Sequence, residues 1–402
     1  LLILCLQIVN ILFADGLNPD STFHFNGYNR VADIYSPISK VDEVQKSIIV
    51  AGYKNSGASY AKLGVTKLTL DGAVDSSFGI NGNVEISINT LYPGTYSTTV
   101  KEIIFQGDGK ILLLLFCTTS ADMTKGLIGM VRLYNNGSLD NSFSNTGVKL
   151  FKLQTGYKYN PTCMAIDESE DQLKIYVGGT AIPETWSVAA SEFFIAKFNV
   201  NGALDTSFAG NGYIQELGTY INSSLVDGTS VVRDMKVIDS NKLLVAGSHT
   251  GTYFFACKLK QDGTFDSTYN NNGRVLRDAG FLASTTDWSN VYILKDNSIA
   301  FSSMYIETYN VTPAYTEVEL YVARQNAEGA SMVSYGNGGI LYHSFLTGNH
   351  FNKYAFDSLG RMLISYYTND GSLNRQYVNF TRFSTDGQLD SSFGNSADAT
   401  IK

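Results

Sequence analysis

The chain has 402 residues and a formal net charge of −8, with 44% hydrophobic and 16% charged residues. This composition supplies a large apolar core and excludes a disordered chain, and the acidic balance without a basic run argues against a nucleic-acid-binding protein. The 37 Gly, 25 Tyr and 23 Phe residues, with 6 Pro, favour many short strands joined by tight turns.

The first fourteen residues, LLILCLQIVNILFA, form an apolar run. It is shorter than the roughly 20 residues that a membrane-spanning helix needs. We predict that residues 1–14 are a signal peptide or its remnant, cleaved after Ala14, and that the protein is secreted or held on the cell surface. A buried first strand is the alternative. No other segment has the length and hydropathy of a membrane span.

One motif recurs seven times, and it joins a turn glycine, an apolar residue, Asp, Ser or Thr, an aromatic residue and a second glycine. The copies occupy residues 15–27, 71–82, 136–147, 201–212, 262–273, 328–339 and 386–397. Their aromatic residues, spaced by about 62 positions, are Phe23, Phe78, Phe143, Phe208, Tyr269, Tyr335 and Phe393. In the sixth copy, Met332 stands where most copies have Asp.

Each interval between two motifs has the same plan, which predicts about four short strands. An apolar strand such as QKSIIVAGY (45–53) occupies the middle of the interval, and another such as FFIAKFNV (193–200) ends just before the next motif. Further apolar stretches precede the first of these strands and follow the motif. The strands are apolar on both faces, a pattern that predicts sheets covered on both sides by similar sheets.

The predicted fold is all-β, a single six-bladed β-propeller of four-stranded antiparallel blades spanning residues 15–402. Its repeats cover approximately residues 28–83, 84–148, 149–213, 214–274, 275–340 and 341–402. A parallel β-helix would need shorter coils, and a two-sheet sandwich would have polar outer faces. The propeller is therefore the preferred architecture.

We interpret the motif as the connector between blades, in which Asn-Gly or Asp-Gly reverses the chain and the aromatic residue inserts between adjacent blades. The motif aspartate should accept backbone N–H groups two residues later. These aspartates are Asp75, Asp140, Asp205, Asp266 and Asp390.

A cation stands five residues before the motif glycine in six copies, and these cations are Lys67, Arg132, Lys197, Lys258, Arg324 and Arg382. Six equivalent cations could surround an anion-binding axis. Pairing of each cation with its motif aspartate is the favoured interpretation, because repeated charges in repeat proteins are usually structural. Arg324 lacks an aspartate in its copy and must have another partner.

The pattern A-[KR]-[LF]-x-x-[DN]-G-x-[LF]-D-x-S-F-G-x-x-G, with an upstream turn such as GDGK (107–110), resembles the delta-60 repeat family. The resemblance covers residues 15–397, with the best matches at 200–212 and 385–394 and a degenerate copy at 320–339. It implies a β-propeller in a secreted or surface-located bacterial protein. It supplies no catalytic residues, since the family has no established activity.

The sequence contains none of the common catalytic motifs. The four histidines, none with metal-ligand spacing, are His24, His249, His343 and His350. Outside the leader, Cys117, Cys163 and Cys257 each lie in an apolar strand, which predicts buried free thiols. We expect no cofactor, and Ca²⁺ bound at an acidic turn such as 167–171 is the less favoured alternative.

We therefore expect a secreted or cell-surface, non-catalytic binding or scaffold module whose partner is an extracellular protein or carbohydrate. The candidate contact loops are Gly179–Glu192 and Glu307–Glu317, and the candidate contact aromatics are Trp186 and Trp288. One alternative is a Ca²⁺-dependent hydrolase of the six-bladed lactonase type, with carboxylates and amides converging on the axis. Another is an extracellular structural subunit that polymerises.

Overall fold

The computed structural model describes residues 34–54, 62–119, 126–169, 173–184, 191–216, 228–239, 241–249, 253–278, 290–309, 315–345, 350–370, 375–394 and 398–401. The fold is all-β, a six-bladed β-propeller of four-stranded antiparallel blades, which confirms the predicted fold class. The predicted leader, the first motif copy with Phe23, and both Trp186 and Trp288 lie outside the described residues.

Within each blade the strands are hydrogen-bonded in chain order. The first three blades contain β1 (Tyr35–Asp42), β2 (Ser47–Lys54), β3 (Lys62–Thr69) and β4 (Asn83–Ser87); β5 (Ser97–Phe105), β6 (Ile111–Thr118), β7 (Gly126–Leu133) and β8 (Val148–Phe151); and β9 (Tyr157–Asp167), β10 (Lys174–Pro183), β11 (Glu192–Asn199) and β12 (Tyr213–Glu216).

The last three blades contain β13 (Ser230–Ile238), β14 (Lys242–His249), β15 (Tyr253–Leu259) and β16 (Arg274–Asp278); β17 (Asn290–Ile293), β18 (Ile299–Tyr309), β19 (Tyr315–Gln325) and β20 (Ile340–Phe345); and β21 (His350–Phe356), β22 (Met362–Asp370), β23 (Arg375–Phe383) and β24 (Asp398–Ile401). Helix among the described residues is limited to one turn, α1 (Ile88–Leu91), and one 3₁₀ turn, Phe208–Gly210.

Contacts divide the chain into two compact units. One comprises the described residues up to 245 together with 258–266, and the other comprises 246–257 and the described residues from 267 onward. In the first unit, the first strands of consecutive blades contact one another, β1 with β5, β5 with β9, and β9 with β13. In the second unit, Leu320 and Val322 of the fifth blade pack with Ile364 of the sixth.

The apolar core of the first unit lies between the blades. Alternate residues of β6 point to opposite faces, so Leu113 joins a core with Val65 and Phe78 of the first blade, whereas Leu114 joins one with Phe194 of the third. Each such fully buried side chain contributes roughly 1.5–3 kcal/mol relative to exposure. The two-faced apolar pattern of the sequence is therefore the direct cause of blade-on-blade packing.

The motif lies inside each blade, so its interpretation as a blade-to-blade connector is wrong. Residues 71–82 join β3 to β4, which pair directly in one antiparallel ladder, and residues 201–212 join β11 to β12 in the same way. The apolar stretch after each motif is the fourth strand of the same blade. The sheets of the first five blades consequently extend past the predicted repeat ends, and the first sheet ends at Ser87 instead of residue 83.

Candidate functional site

The motif cation and the motif aspartate form an ion pair in the first, second, third and sixth blades. Each of these aspartates also accepts the backbone N–H of the serine two residues later. The pairs, with N–O distances, are Lys67 with Asp75 (3.5 Å), Arg132 with Asp140 (2.7 Å), Lys197 with Asp205 (3.3 Å) and Arg382 with Asp390 (2.7 Å).

The pair in the second blade is fully buried. Asp140 has no exposed surface, and Arg132 is 2% exposed. Burial by itself would raise the pKa of Asp140, but hydrogen bonds from Ser142 and Tyr134 and the charge of Arg132 together lower it to about 2. The carboxylate of Asp140 therefore stays ionised, because these hydrogen bonds and the charge of Arg132 outweigh the effect of burial.

In the fourth and fifth blades, charged motif residues pair with groups outside the motif. The carboxylate of Asp266 lies 2.6 Å from Lys242 Nζ of β14. Arg324, whose copy lacks the aspartate, donates from Nη2 to Ser298 Oγ at 2.7 Å and from Nη1 to the carbonyl of Thr385 at 3.0 Å. The copy without Asp thus uses a neighbouring hydroxyl, a turn carbonyl and the carboxylate of Asp296, whose Oδ2 lies 3.8 Å from Arg324 Nη2.

Four of the motif cations also reach the next blade, where each donates to the carbonyl of the residue two before the following motif glycine. The pairs are Lys67 with Asn135 (3.5 Å), Arg132 with Val200 (2.5 Å), Lys197 with Gln261 (3.1 Å) and Arg324 with Thr385 (3.0 Å). These charges therefore hold a strand, its own turn and the turn of the next blade together, and this use accounts for their recurrence without an anion.

A backbone hydrogen bond joins consecutive blades at the same place. The residue after the motif aromatic donates its N–H to the carbonyl just before the next motif glycine. These pairs are Gly79 with Asn136 (2.8 Å), Ser144 with Asn201 (2.9 Å), Ala209 with Asp262 (2.8 Å), Asn270 with Glu328 (3.1 Å) and Gly336 with Asp386 (2.7 Å).

The motif aromatic packs on that next glycine. A Cβ added at Gly202, whose φ is +79°, would lie 2.9 Å from the ring of Phe143. Phe78, Phe143 and Phe208 are fully buried, and Tyr269 is 1% exposed. The aromatic residue thus contacts the neighbouring blade's turn, and glycine is required there both for the left-handed backbone and for the close approach.

A second charged cluster lies on the contacting first strands of the first unit. Glu102 follows a register shift in β5 after Val100, and its Oε2 accepts the N–H of Met164 in β9 at 2.5 Å. Its Oε1 lies 4.0 Å from Lys40 Nζ in β1. The pKa of Glu102 is raised to about 7, mainly by burial. The charge of Lys40 lowers this pKa, and the charge of Asp234 in β13 raises it further.

The cysteine thiols and the possible metal ligands do not form a further site among the described residues. The three thiols, Cys117, Cys163 and Cys257, are buried and free as predicted, and burial raises the pKa of Cys117 and of Cys257 to about 12. Across the described ranges, no three His, Cys, Asp or Glu side chains are placed to share a metal ion. No helix in this part of the chain is long and apolar enough to cross a bilayer.

A cleft of about 790 Å³ lies beside β12, the last strand of the third blade, and it belongs entirely to the first unit. All four residues of β12 line it, together with residues from the third blade and from the motif turn of the fourth, Asp262–Phe265. The size is typical of small-molecule and peptide side-chain sites. This cleft is the candidate functional site.

The antiparallel order of the third blade brings the cleft residues to one end of the sheet. Tyr157 begins β9, Glu192 begins β11 and Glu216 ends β12. Adjacent antiparallel strands place the start of one beside the end of the next, and the register pairs Tyr157 with Pro183 of β10 and Glu216 with Phe193 of β11. Residues distant in sequence therefore meet at this edge.

Four side chains form a continuous hydrogen-bonded chain in and beside the cleft. Tyr159 Oη donates to Gln215 Oε1 at 2.5 Å, and Gln215 Nε2 donates to Glu192 Oε2 at 2.6 Å. Tyr157 Oη donates to the other carboxylate oxygen of Glu192 at 3.3 Å. Gln215 is the central member, since its amide fixes both a phenol and a carboxylate.

The cleft is electrostatically negative. Glu192, Glu216 and Asp262 line it, and among the described lining residues none is Lys, Arg or His. Burial and then the charge of Glu192 raise the pKa of Glu216 and of Tyr157. Hydrogen bonds from Thr264 lower the pKa of Asp262, which keeps that carboxylate ionised. The three acids therefore face the cleft without a cationic lining residue.

Sequence reasoning did not single out most of this cleft. Glu192 is the last residue of the candidate loop Gly179–Glu192, but no sequence pattern indicates Tyr157, Gln215 or Glu216 as site residues. A usable signal is the difference between equivalent fourth strands, because the third repeat has YIQE where the second has VKLF.

Comparison with protein families gives one match. A family model described as a domain of unknown function (DUF5122) beta-propeller matches residues 46–78 and 174–208. Each matched segment contains the second strand, the third strand and the motif up to its aromatic residue. Together with the fold, this match makes the chain a β-propeller repeat protein. The resemblance to the delta-60 repeat family stays a prediction.

No curated protein matches the sequence. Among solved structures, a polysaccharide lyase of family PL25, an ulvan lyase, is 11% identical over 94% of this chain and 82% of that chain, with a TM-score of 0.43. The WD40 domain of SCAP from fission yeast is 11% identical over 92% and 87%, with a TM-score of 0.38. An α-L-arabinofuranosidase from Lactobacillus brevis is 9% identical over 82% and 92%, with a TM-score of 0.37. Likenesses of this size carry no argument about activity.

Proposed function

We propose that the chain is a non-catalytic binding module that acts outside the cell and holds its ligand in the cleft beside β12. The observation that carries this proposal is the hydrogen-bonded chain through Gln215 and Glu192 at the cleft. Polar groups that are already fixed lose little further freedom when a ligand arrives, and such preorganisation is a recurring property of binding sites.

The use of the repeated charges supports the same proposal. The motif cations and aspartates are occupied by ion pairs and turn carbonyls between blades, as for Arg132 with Asp140 and Val200. They are therefore part of the scaffold, whereas the polar side chains of the cleft line a concave surface. The extracellular location rests on the predicted leader, residues 1–14, and the binding role needs no cofactor.

A binding screen with a cleft variant tests this proposal. The full chain is screened against panels of oligosaccharides and short peptides, and each ligand that binds is measured again with Gln215→Ala. Loss of the central amide releases Glu192 and Tyr159, so we expect at least tenfold weaker binding.

The matched control is Gln388→Ala, an exposed glutamine in the motif of the sixth blade whose own hydrogen bonds are made by its backbone. It should leave binding unchanged. If every ligand binds Gln215→Ala as strongly as it binds the wild type, the ligands bind elsewhere and the proposal is contradicted.

A hydrolase of glycosidic bonds is a second candidate, favoured by one observation. The cleft contains two carboxylates, Glu192 and Glu216, and burial with the charge of Glu192 raises the pKa of Glu216. A carboxylic acid with a raised pKa and a second carboxylate are the two groups that glycoside hydrolysis uses. Release of reducing sugar from an oligosaccharide panel, abolished by Glu216→Gln, would favour the hydrolase over the binding module.

A further inference from the structure

Resting on the proposed function, we infer that the cleft binds an extended, basic segment of a protein partner, which adds as a further strand to the edge of β12. Its Lys or Arg side chains meet the carboxylates of Glu192, Glu216 and Asp262. The inference combines the backbone geometry of β12, the placement of the acids on both of its faces and the contrast with other fourth strands.

The backbone of β12 supplies groups for strand addition. β12 is the terminal strand of its sheet. Lys197 N–H donates to the carbonyl of Gly212 at 3.0 Å, and because peptide groups alternate along a strand, the N–H and carbonyl groups of Tyr213 and Gln215 point away from β11. Asn211 Oδ1 accepts the N–H of Tyr213 at 3.2 Å. The carbonyl of Tyr213 and both backbone groups of Gln215 therefore face the outer edge, where an added strand would bind.

The carboxylates lie where the side chains of such a strand would point. Gln215 and its partner Glu192 lie on one face of the third blade, and Glu216, one residue further, points to the other face. Asp262 comes from the turn of the next blade. Side chains of an added strand also alternate between faces, so a basic residue on either face meets a carboxylate.

The aromatic residues of the cleft suit the same ligand. Tyr157 and Tyr213 line it, and the face of a tyrosine ring attracts an ammonium or guanidinium group. A neutral or acidic segment would leave the carboxylates without compensation and would gain nothing from the rings. The chemistry therefore selects a cationic ligand.

The fourth strands of the other two blades in the first unit do not offer carboxylates without a paired cation. In the first blade, Glu85 of β4 is already paired with Lys62 at 2.6 Å and with Lys54 at 3.7 Å. In the second blade, β8 reads VKLF and carries a lysine without an acid. The third blade therefore combines an available edge with carboxylates that no lining cation neutralises, which makes it selective for a basic segment.

Binding of defined peptides to the full chain tests the inference. The probe is a capped, fluorescently labelled nine-residue peptide in which Lys alternates with Thr. The comparison peptides replace Lys by Glu, or carry N-methyl groups on alternate backbone nitrogens. We expect the Lys peptide to bind at low salt. Its affinity should fall about tenfold when the ionic strength is raised to 0.5 M, because salt screens exposed charges. We expect neither comparison peptide to bind.

Asparagine substitutions supply fold-safe variants. Asn136 and Asn201 occupy the position of Asp262 in other repeats, so Asp262→Asn preserves the turn while it removes a cleft charge. The double variant Asp262→Asn/Glu216→Gln should bind the Lys peptide about fivefold more weakly. Asp386→Asn, the same turn position in the sixth blade, is the matched control and should bind as the wild type does.

The outcomes separate this inference from the proposed function. Binding of the Glu peptide, or of an oligosaccharide without the Lys peptide, overturns the inference, and the proposed function stands if that binding is lost in Gln215→Ala. Equal binding of the N-methylated peptide, or of spermidine, overturns strand addition. Failure of every ligand to respond to Gln215→Ala overturns both.

Discussion

The carboxyl group of Glu102 gives a pH-dependent stability that can be worked out from its surroundings. The fold raises the pKa of Glu102 from an ordinary 4.5 to about 7, mainly by burial, with Lys40 opposing and Asp234 adding to the rise. The raised pKa means that the native state favours the protonated acid. Its contribution is therefore fully present below pH 4.5 and is lost as the pH rises through 7.

The perturbation is Glu102→Gln, which keeps an acceptor for the N–H of Met164 and removes the ionisation. At about 1.4 kcal/mol for each tenfold change in acidity, the rise from 4.5 to about 7 corresponds to about 3 kcal/mol. The variant should therefore be more stable than the wild type by up to about 3 kcal/mol at pH 8, and the difference should vanish near pH 4.

Urea denaturation midpoints measured between pH 4 and pH 8 provide the assay. The wild type should lose stability across this range relative to the variant. Exposed Glu43 in the turn between β1 and β2 gives the control, because Glu43→Gln lacks the burial that produces the effect. The reasoning is refuted if Glu102→Gln is destabilised equally at every pH, since a difference that does not change with pH would mean that ionisation of Glu102 does not affect stability.

Three further predictions concern the joints between blades. Gly202→Ala should lower the melting temperature more than Gly210→Ala does, because both residues have φ +79° but only at Gly202 would a Cβ contact the Phe143 ring, at 2.9 Å; equal losses would deny the packing role. Arg132→Met should cost about 3–5 kcal/mol because it leaves Asp140 buried without its cation, and a loss below 1 kcal/mol in urea denaturation would contradict this. The pKa of Asp140 is lowered to about 2, so the stabilisation that Asp140→Asn removes should be present above pH 4 and disappear as the pH falls towards 2; a loss independent of pH would count against the ion pair.

The repeat and the two-faced strands could be predicted from sequence because they depend on local pattern. An apolar strand with Phe194 and Phe198 on one face and Phe193 on the other must be covered on both sides, and that requirement leads to stacked blades. The position of the motif within the blade could not be predicted in this way. Apolar strands lie on both sides of each motif, and whether they pair, as β3 and β4 do, is decided by tertiary structure.

The candidate site depends on register between distant segments, and for this reason the sequence does not reveal it. Gln215 meets Glu192 because β12 pairs with β11 in one particular register, and Tyr159 joins them from β9. The environment of Glu102 likewise comes from strands of different blades. No spacing in the sequence encodes these contacts, whereas the motif pairs such as Arg132 with Asp140 are eight residues apart and lie within one hairpin.

Hydrogen–deuterium exchange of the full chain, with and without the Lys–Thr peptide, tests most directly whether the ligand lies beside β12. The account predicts slower exchange on binding in segments that contain Tyr213–Glu216 and the turn Asp262–Phe265, and no change in either segment for Gln215→Ala. Slower exchange confined to the segment Glu307–Glu317, or an unchanged exchange rate at β12 under saturating peptide, would contradict it.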